Sequence, residues 1–387
     1  MLIIVNRKLG YSLVRWLYVC KIIAVGFDIG GANIKAVKVV RRRDGTTVVE
    51  DIVREYMPIW IKGIKGLREK LIEIKRIFKL EDKSYFVGVC MTAELSDVFS
   101  TKEEGVKKVV DLIEDVFSDA SNRLYVDFNA NLVKAGEAKT KPITIAAANW
   151  AASAWLLERI ACNSNIKNIL FVDIGSTTTT IIPIVDCRTM VRGRTDPEKL
   201  IYGELVYLGT LRTDVSSIVS KVPFKGYYAN ICRERFSLVG DVHLVLNHIK
   251  PEDYTTETAN GQGKTFDEAI ARLSRVICAD KTMVSVAEVK EIARYIYEAQ
   301  VFKVFEALMQ IRSWLASLGL NLDDFSIILA GIGKHIALEA AKRAGFSKFI
   351  DVDKVLEKPL AGVVPAYATA LLVLNKVVNY YASCSQS

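Results

Sequence analysis

The chain has 387 residues, which is long for one compact core and predicts two or three lobes. Its 52 Lys and Arg exceed its 44 Asp and Glu by a net charge of +8, spread along the chain without basic arms. This pattern favours an anionic small ligand over nucleic acid, although a thermophile-like surface is an equally good interpretation. Seven widely spaced cysteines without a C-x-x-C pair are typical of a reduced cytoplasmic protein and argue against a disulfide or zinc framework.

The first 21 residues are predicted to be an N-terminal extension. Their apolar runs are shorter than the roughly 18 residues that a membrane span needs, and no small-residue cleavage site follows them. We expect no membrane span, with an amphipathic anchor as the alternative interpretation.

Apolar periodicity over residues 22–167 predicts a first α/β lobe. Its elements in chain order are a strand, Gly turn and strand over 21–40, extended segments over 46–59, an amphipathic helix over 61–80, a buried strand over 85–92, a helix over 103–117, a short strand over 123–128 and a buried Ala-rich helix over 143–161.

The pattern restarts at Asn168, and residues 168–376 are predicted to form a second lobe with an insertion at about 189–281. Its elements are a strand, polar turn and strand over 168–186, a long helix over 284–319, a strand over 326–333, a helix over 334–345, a strand over 349–353 and a closing helix over 363–378. A short tail, 377–387, is expected after it. Two repeated α/β halves predict a cleft, with both Gly turns at the carboxyl ends of strands.

Three turns are candidates for holding phosphate. Asp28 precedes a Gly-Gly turn, where glycines able to take positive φ let backbone N–H groups approach an anion. Asp173 precedes a Gly-Ser-Thr turn rich in hydroxyl donors. The candidate phosphate-binding residues are Gly30, Gly31, Asn33 and Lys35 in the first turn, Gly175, Ser176, Thr177 and Thr178 in the second, and Gly331 and Gly333 in a late Gly-rich turn. An ordinary hairpin and a β-branched strand are the structural alternatives.

The paired turns are the pattern by which the sugar-kinase/actin/Hsp70-like fold, with its duplicated RNase H-like lobes, grips a phosphate chain. In that fold Asp28 and Asp173 would lie near a divalent metal such as Mg²⁺. The chain also resembles the hydantoinase/oxoprolinase-related family linked to tetrahydromethanopterin one-carbon metabolism. The resemblance rests on the three turns and on motifs in order between them: 91–97 (MTAELSD), 147–150 (AANW), 203–207 (GELVY) and 212–213 (RT).

The resemblance implies a transferase of methanofuran biosynthesis in an archaeon. Such an enzyme would join an aminomethylfuran-methyl diphosphate to the phenol of γ-glutamyltyramine and release diphosphate, without ATP. We expect Asp28 and Asp173 to act through the metal and Glu204 to accept the phenol proton. The sequence departs from the family at Asn260 and Gln262, where the family has an acid and a base, so the exact substrates stay open.

Other polar residues are candidates for binding the substrates. These are Glu94, Asp97, Asn149, Trp150, Tyr207 and Arg212. Several candidates also have a structural alternative. Glu94 and Asp97 could cap a helix, and the Asn149 amide could form hydrogen bonds with nearby backbone groups. Glu204 and Arg212 could form an internal ion pair. His243 and His248 are five residues apart and do not share a helix face well, so we expect a core or surface role rather than a metal site.

Two other classes of function remain open from the sequence. One is an ATP-dependent kinase or amidohydrolase of the same fold, and the other is a noncatalytic nucleotide-binding protein of the actin-like class. We expect a phosphorylated small molecule as partner and no nucleic acid, with a homodimer among the possible assemblies.

Overall fold

The computed structural model describes residues 21–81, 83–164, 166–356 and 360–384, and the chain divides into two units. The first unit comprises residues 1–165 and 357–387, and the second comprises residues 166–356. The predicted extension at 1–21 lies outside the described residues except for Lys21.

The first unit is built on a six-stranded sheet in the order β3-β2-β1-β4-β5-β6. Its strands are β1 (Ile22–Ile29), β2 (Asn33–Arg41), β3 (Thr47–Tyr56), β4 (Tyr85–Met91), β5 (Asn122–Val126) and β6 (Leu132–Val133). Strands β1, β2 and β3 are antiparallel neighbours, whereas β4 and β5 continue the sheet in parallel. Every residue of β1 is buried, as expected for an apolar strand covered on both faces.

The helices of the first unit are α1 (Ile59–Ile77), α2 (Lys102–Val116), α3 (Ala135–Thr140), α4 (Pro142–Ile145), α5 (Asn149–Asn163) and, after the second unit, α11 (Val364–Cys384). The single helix predicted over 143–161 is wrong. Ala147 adopts a left-handed backbone with φ 52°, which ends α4 and lets α5 begin at Asn149.

The closing helix α11 packs on the first sheet, although the sequence-based boundaries placed residues 357–376 in the second lobe. Two glycines make this contact close. A Cβ at Gly26 would lie 2.1 Å from the Ala366 carbonyl oxygen, and one at Gly88 would lie 2.5 Å from a Val373 methyl. The helix also continues to Cys384, through most of the predicted tail.

The second unit repeats the strand pattern of the first, with the order β10-β8-β7-β13-β14 and β9 beside β8. The strands are β7 (Ile169–Ile174), β8 (Thr179–Val185), β9 (Arg188–Thr189), β10 (Leu205–Val206), β13 (Ser326–Ala330) and β14 (Lys348–Asp351). As in the first unit, the first two strands are antiparallel and the later two extend the sheet in parallel. The duplicated supersecondary pattern is therefore present in both units.

Between β8 and the long helix lies a segment with a hydrophobic core of its own. Its elements are α6 (Asp196–Tyr202), the two-stranded ribbon of β11 (Lys221–Phe224) and β12 (Tyr227–Asn230), α7 (Val239–Val245) and α8 (Phe266–Arg275). Two further helices complete the unit, α9 (Val286–Ser317) and α10 (Lys334–Arg343). The described residues contain no helix that is both long enough and apolar enough to cross a membrane.

Candidate active site

The two predicted phosphate turns close in the same way in their separate units. The Gly30 N–H donates to the Asn33 carbonyl oxygen at 2.9 Å, and the Gly175 N–H donates to the Thr178 carbonyl oxygen at 2.9 Å. Both turns join the first strand of a sheet to its antiparallel neighbour. None of the glycines in these two turns adopts the positive φ that the sequence suggested.

In the first unit, sheet pairing fixes the surroundings of Asp28. Lys35 is its register partner on β2, and the Lys35 ammonium lies 3.1 Å from Asp28 Oδ2. Asp28 Oδ1 is buried and has no hydrogen-bond partner among the described residues, which fits a carboxylate that accepts a cation or a ligand donor. Lys35 thus neutralises Asp28, in addition to any contact with phosphate.

Glu94 and Asp97 follow β4 but lie in different environments. Glu94 is in a short 3₁₀ turn, 1% exposed, with the Lys102 ammonium 3.9 Å from its Oε1. Asp97 is exposed. Neither is the N-cap of α2, because Thr101 accepts the hydrogen bond from the Glu104 N–H there.

The left-handed Ala147 places Asn149 at the first position of α5 and leaves it partly exposed, with Trp150 buried behind it. Asn149 thus begins a helix, and Trp150 is buried in the first unit.

In the second unit, the late Gly turn lies directly against the end of β7. The Gly333 N–H donates to the Ile174 carbonyl oxygen at 2.9 Å. Gly331 has φ 81°, and a Cβ there would lie 2.2 Å from the same oxygen and 2.5 Å from Asp173 Oδ1. Only glycine fits this position, because it must be both left-handed and in contact with the backbone.

A second segment, residues 209–212, supports the Gly175–Thr178 turn from another side. The N–H groups of Leu211 and Arg212 both donate to the Ser176 carbonyl oxygen at 3.0 Å. A Cβ at Gly209 would lie 2.4 Å from the Thr177 nitrogen, so this segment packs against the turn backbone. Hydrogen bonds and close packing from residues 209–212 therefore support the turn.

Arg212 brings a positive charge to this turn. Its Nη1 donates to Thr177 Oγ1 at 3.3 Å, and the side chain is partly exposed. The backbone N–H groups of Thr177 and Thr178 have no hydrogen-bond partner among the described residues. Backbone N–H groups, hydroxyls and a guanidinium on one turn are suited to an anion such as phosphate.

Glu204 is completely buried, which corrects its predicted role as the acceptor of a proton from the substrate. Its carboxylate accepts hydrogen bonds from the N–H groups of Arg192 at 2.6 Å and Gly193 at 3.0 Å, and from the Lys199 ammonium at 3.2 Å. The alternative of an ion pair with Arg212 is also wrong. Gly203, left-handed at the end of α6, turns Glu204 back onto its own helix.

Lys199 is 2% exposed, and burial lowers the pKa of its ammonium against the opposing effect of the Glu204 charge. Tyr207 is 59% exposed and contributes nothing to the core.

The loop that departs from the family is closed by its own side chains. Asn260 Oδ1 accepts from the Gln262 N–H at 3.2 Å, and Thr258 Oγ1 donates to the Gln262 carbonyl oxygen at 2.7 Å. Arg272 and Asp241 form a buried ion pair beside it, with Arg272 Nη2 2.7 Å from Asp241 Oδ1. Asn260 therefore has a local structural role.

The three histidines of the chain, for which a core or surface role was expected rather than a metal site, come together in the second unit. Their nearest ring nitrogens lie within 4.8 Å of one another. Burial lowers the pKa of His243, His248 and His335, so the imidazoles are neutral. Helix-face spacing does not predict this cluster, because His248 lies beyond the end of α7.

Two of the cysteines are also brought together. Cys232 Sγ and Cys278 Sγ are 2.8 Å apart as free thiols, although they lie far apart in the sequence. The hydrogen bond between them raises the pKa of Cys232.

Comparison with known proteins assigns the chain to a family. Residues 86–375 match the Hydantoinase/oxoprolinase family, which is more than half of the chain. The chain belongs to the hydantoinase/oxoprolinase family. A similar protein from Methanocaldococcus jannaschii is named (4-{4-[2-(gamma-L-glutamylamino)ethyl]phenoxymethyl}furan-2-yl)methanamine synthase. It is 34% identical over 358 residues, which cover 92% of this chain and 99% of the relative.

A protein of the same name from Methanococcus vannielii is 31% identical over 214 residues, covering 54% of this chain and 93% of that relative. Among solved structures, a nucleotide-free acetone carboxylase matches with a TM-score of 0.56 and 12% identity, covering 91% of this chain and 70% of that one. This likeness concerns the fold alone. Together with the duplicated strand order it confirms the predicted sugar-kinase/actin/Hsp70-like α/β fold.

Proposed function

We propose that this hydantoinase/oxoprolinase family member is a synthase that forms the aryl ether of a methanofuran precursor. The support for this step is the relationship to two synthases whose names specify a product with a phenoxymethyl-furan link. Forming that link requires a phenol oxygen to attack a furan CH₂ carbon that carries a leaving group.

We propose further that the leaving group is diphosphate. The single observation behind this proposal is the Gly175–Thr178 turn, where the Arg212 guanidinium donates to the Thr177 hydroxyl and the backbone N–H groups of Thr177 and Thr178 lie in the same short turn. In the balanced reaction the CH₂–O bond to diphosphate breaks, the phenol oxygen bonds to that carbon, and the phenol proton leaves on the released diphosphate. An electron-rich furan stabilises the positive charge on the carbon as the anion departs.

The chain's own contribution is positioning and electrostatic stabilisation. The turn holds the diphosphate oxygens, and Arg212 offsets the charge that develops as the bond breaks. In its own unit, each of Asp28 and Asp173 lies at the carboxyl end of the first strand of the sheet, and each is a carboxylate that could hold a divalent metal. The unpartnered buried oxygen of Asp28 fits such a ligand. A bound Mg²⁺ would neutralise the phosphate oxygens.

The test is a paired assay with Mg²⁺, the aminomethylfuran-methyl diphosphate and γ-glutamyltyramine. Diphosphate release and the ether product are measured together, and phosphate release from ATP is measured beside them. We expect stoichiometric ether and diphosphate with no ATP turnover. Turnover of ATP without ether formation would overturn the proposal and favour the kinase or amidohydrolase class.

The contribution of Arg212 is tested by Arg212→Gln. Loss of one positioned donor at a developing charge lowers kcat by about 100- to 1,000-fold. The control is Arg294→Gln on the exposed surface of α9 in the same unit, which we expect to leave kcat unchanged. Equal rates for both variants would remove Arg212 from the site.

A further inference from the structure

The ring nitrogens of three histidines converge on one point. His243 Nδ1 lies 3.2 Å from His248 Nδ1 and 3.2 Å from His335 Nε2, and the three ligand atoms all lie within 4.8 Å of one another. Zinc binds imidazole nitrogen at about 2.0–2.1 Å in a tetrahedral arrangement, which sets neighbouring nitrogens about 3.4 Å apart. Two of the distances thus match a metal site to within a few tenths of an ångström.

The end of α7 is built to bring two of these histidines side by side. Asn247 is left-handed with φ 57°, the His248 N–H donates to the His243 carbonyl oxygen at 2.8 Å, and the Asn247 N–H donates to the Leu244 carbonyl oxygen at 3.1 Å. This is a Schellman motif, in which the residue after the left-handed position packs against the residue five positions before it. The usual apolar pair at these positions is here a pair of histidines.

A buried glutamine fixes the protonation of His243. The amide of Gln300 donates from Nε2 to the Gly209 carbonyl oxygen at 2.8 Å, so its Oε1 faces His243 Nε2 at 2.9 Å. An amide oxygen only accepts, and His243 must therefore carry its proton on Nε2. The lone pair on His243 Nδ1 then points at His248 and His335. Metal-binding histidines are oriented by such a second hydrogen bond in the same way.

Hydrogen bonds among the rings do not account for this arrangement. His243 Nδ1 has one lone pair and accepts one good hydrogen bond, yet two ring nitrogens approach it at 3.2 Å. A cation at the centre accepts all three lone pairs at once. The environment suits neutral ligands, since His243 is fully buried within the second unit.

We propose that His243, His248 and His335 bind one divalent transition-metal ion of the zinc class. His335 is partly exposed and His248 is exposed, so a fourth coordination position faces solvent, as in sites with three protein ligands and a water. The ion joins the end of α7 to the start of α10. Through Gln300 it is linked to Gly209, which supports the Gly175–Thr178 turn. This site shares no residue with the proposed metal ligands Asp28 and Asp173 and does not depend on the proposed reaction.

The experiment uses the full chain without a polyhistidine tag, stripped with EDTA and titrated with zinc. We expect saturation at about one ion per chain, and Co²⁺ in place of zinc should give the visible bands of tetrahedral nitrogen coordination. His248→Ala and His335→Ala should each weaken zinc binding by at least about 100-fold. Both positions are at least partly exposed, and circular dichroism of each variant in EDTA checks that it folds like the wild type.

Two further variants separate this site from a merely structural histidine cluster. Gln300→Met removes the acceptor for His243 and should weaken zinc about 10- to 100-fold, whereas Gln300→Glu keeps that acceptor, gives up the donor to the Gly209 carbonyl oxygen and should bind zinc more tightly than Gln300→Met. The double variant Cys232→Ser, Cys278→Ser is the control for thiol binding and should bind zinc like the wild type. Absence of saturable binding at micromolar zinc, or binding lost only in the cysteine variant, would overturn the proposal.

Discussion

Replacing Glu204 by Gln separates a structural role from a catalytic one. The carboxylate accepts two backbone N–H groups and the ammonium of Lys199, and both side chains are at most 2% exposed. The amide keeps the shape but removes the negative charge that faces the buried Lys199 ammonium. Breaking a buried ion pair from one side costs about 3–5 kcal/mol. We therefore expect the second unit to lose about that much free energy of unfolding, while kcat per folded molecule stays unchanged.

The assay is urea unfolding followed by circular dichroism, with the slope compared between variants so that a midpoint shift reports stability. The double variant Lys199→Met, Glu204→Gln removes both charges and should recover much of the loss. Glu306→Gln is the surface control, because its ion pair with Lys303 is about half exposed, and it should change stability by less than about 0.5 kcal/mol. A Glu204→Gln protein of wild-type stability with abolished turnover would refute the reasoning and restore Glu204 as a proton acceptor.

Two further predictions concern the second unit. Gly331→Ala should destabilise the chain by more than about 1 kcal/mol and weaken diphosphate binding, because the new Cβ would lie 2.2 Å from a backbone oxygen. Gly261→Ala is the control, since Gly261 has φ 71° and open space around it. It should show the backbone strain of a left-handed alanine without the loss of diphosphate binding. Calorimetric titration with diphosphate distinguishes them, and equal binding by both would contradict the assignment of the late turn. Hydrogen peroxide should couple Cys232 to Cys278 as an intramolecular disulfide, with water as the other product. The rate should rise with pH because the thiolate is the reactive form, and the rise should come at higher pH than for an ordinary cysteine because the pKa of Cys232 is raised by its neighbour. Peptide mapping under non-reducing conditions should find that crosslink, and a crosslink to Cys162 instead would contradict the predicted pairing.

Local patterns were sufficient to predict the elements around the two turns. The apolar strands before Asp28 and Asp173 and the glycines after them were enough to locate both turns, because strand burial and turn chemistry act over a few neighbouring residues, but not to predict the backbone angles of the glycines. The family resemblance was carried by the same short motifs, and comparison with known proteins confirmed it.

Local patterns were misleading where a side chain's partner is set by a chain reversal. The sequence around Glu204 favours an acid that is available to a substrate. In the structure the left-handed Gly203 directs Glu204 against the preceding helix, where it is buried. His243 and His248 do not share a helix face, but the Schellman motif at Asn247 brings them together. The left-handed residue in each case was visible in the sequence as a Gly or an Asn, the residues most often found there.

The sequence by itself determined most of the long strands and helices and the position of the two polar turns, because each depends on propensity and periodicity within a short window. Only the tertiary structure decided that the closing helix packs on the first sheet, that Glu204 is buried against Lys199, and that His335 joins two distant histidines. These contacts link residues far apart in the chain. The free energy of these contacts comes from burying and pairing side chains of different elements. A local sequence pattern does not predict which element a side chain will contact.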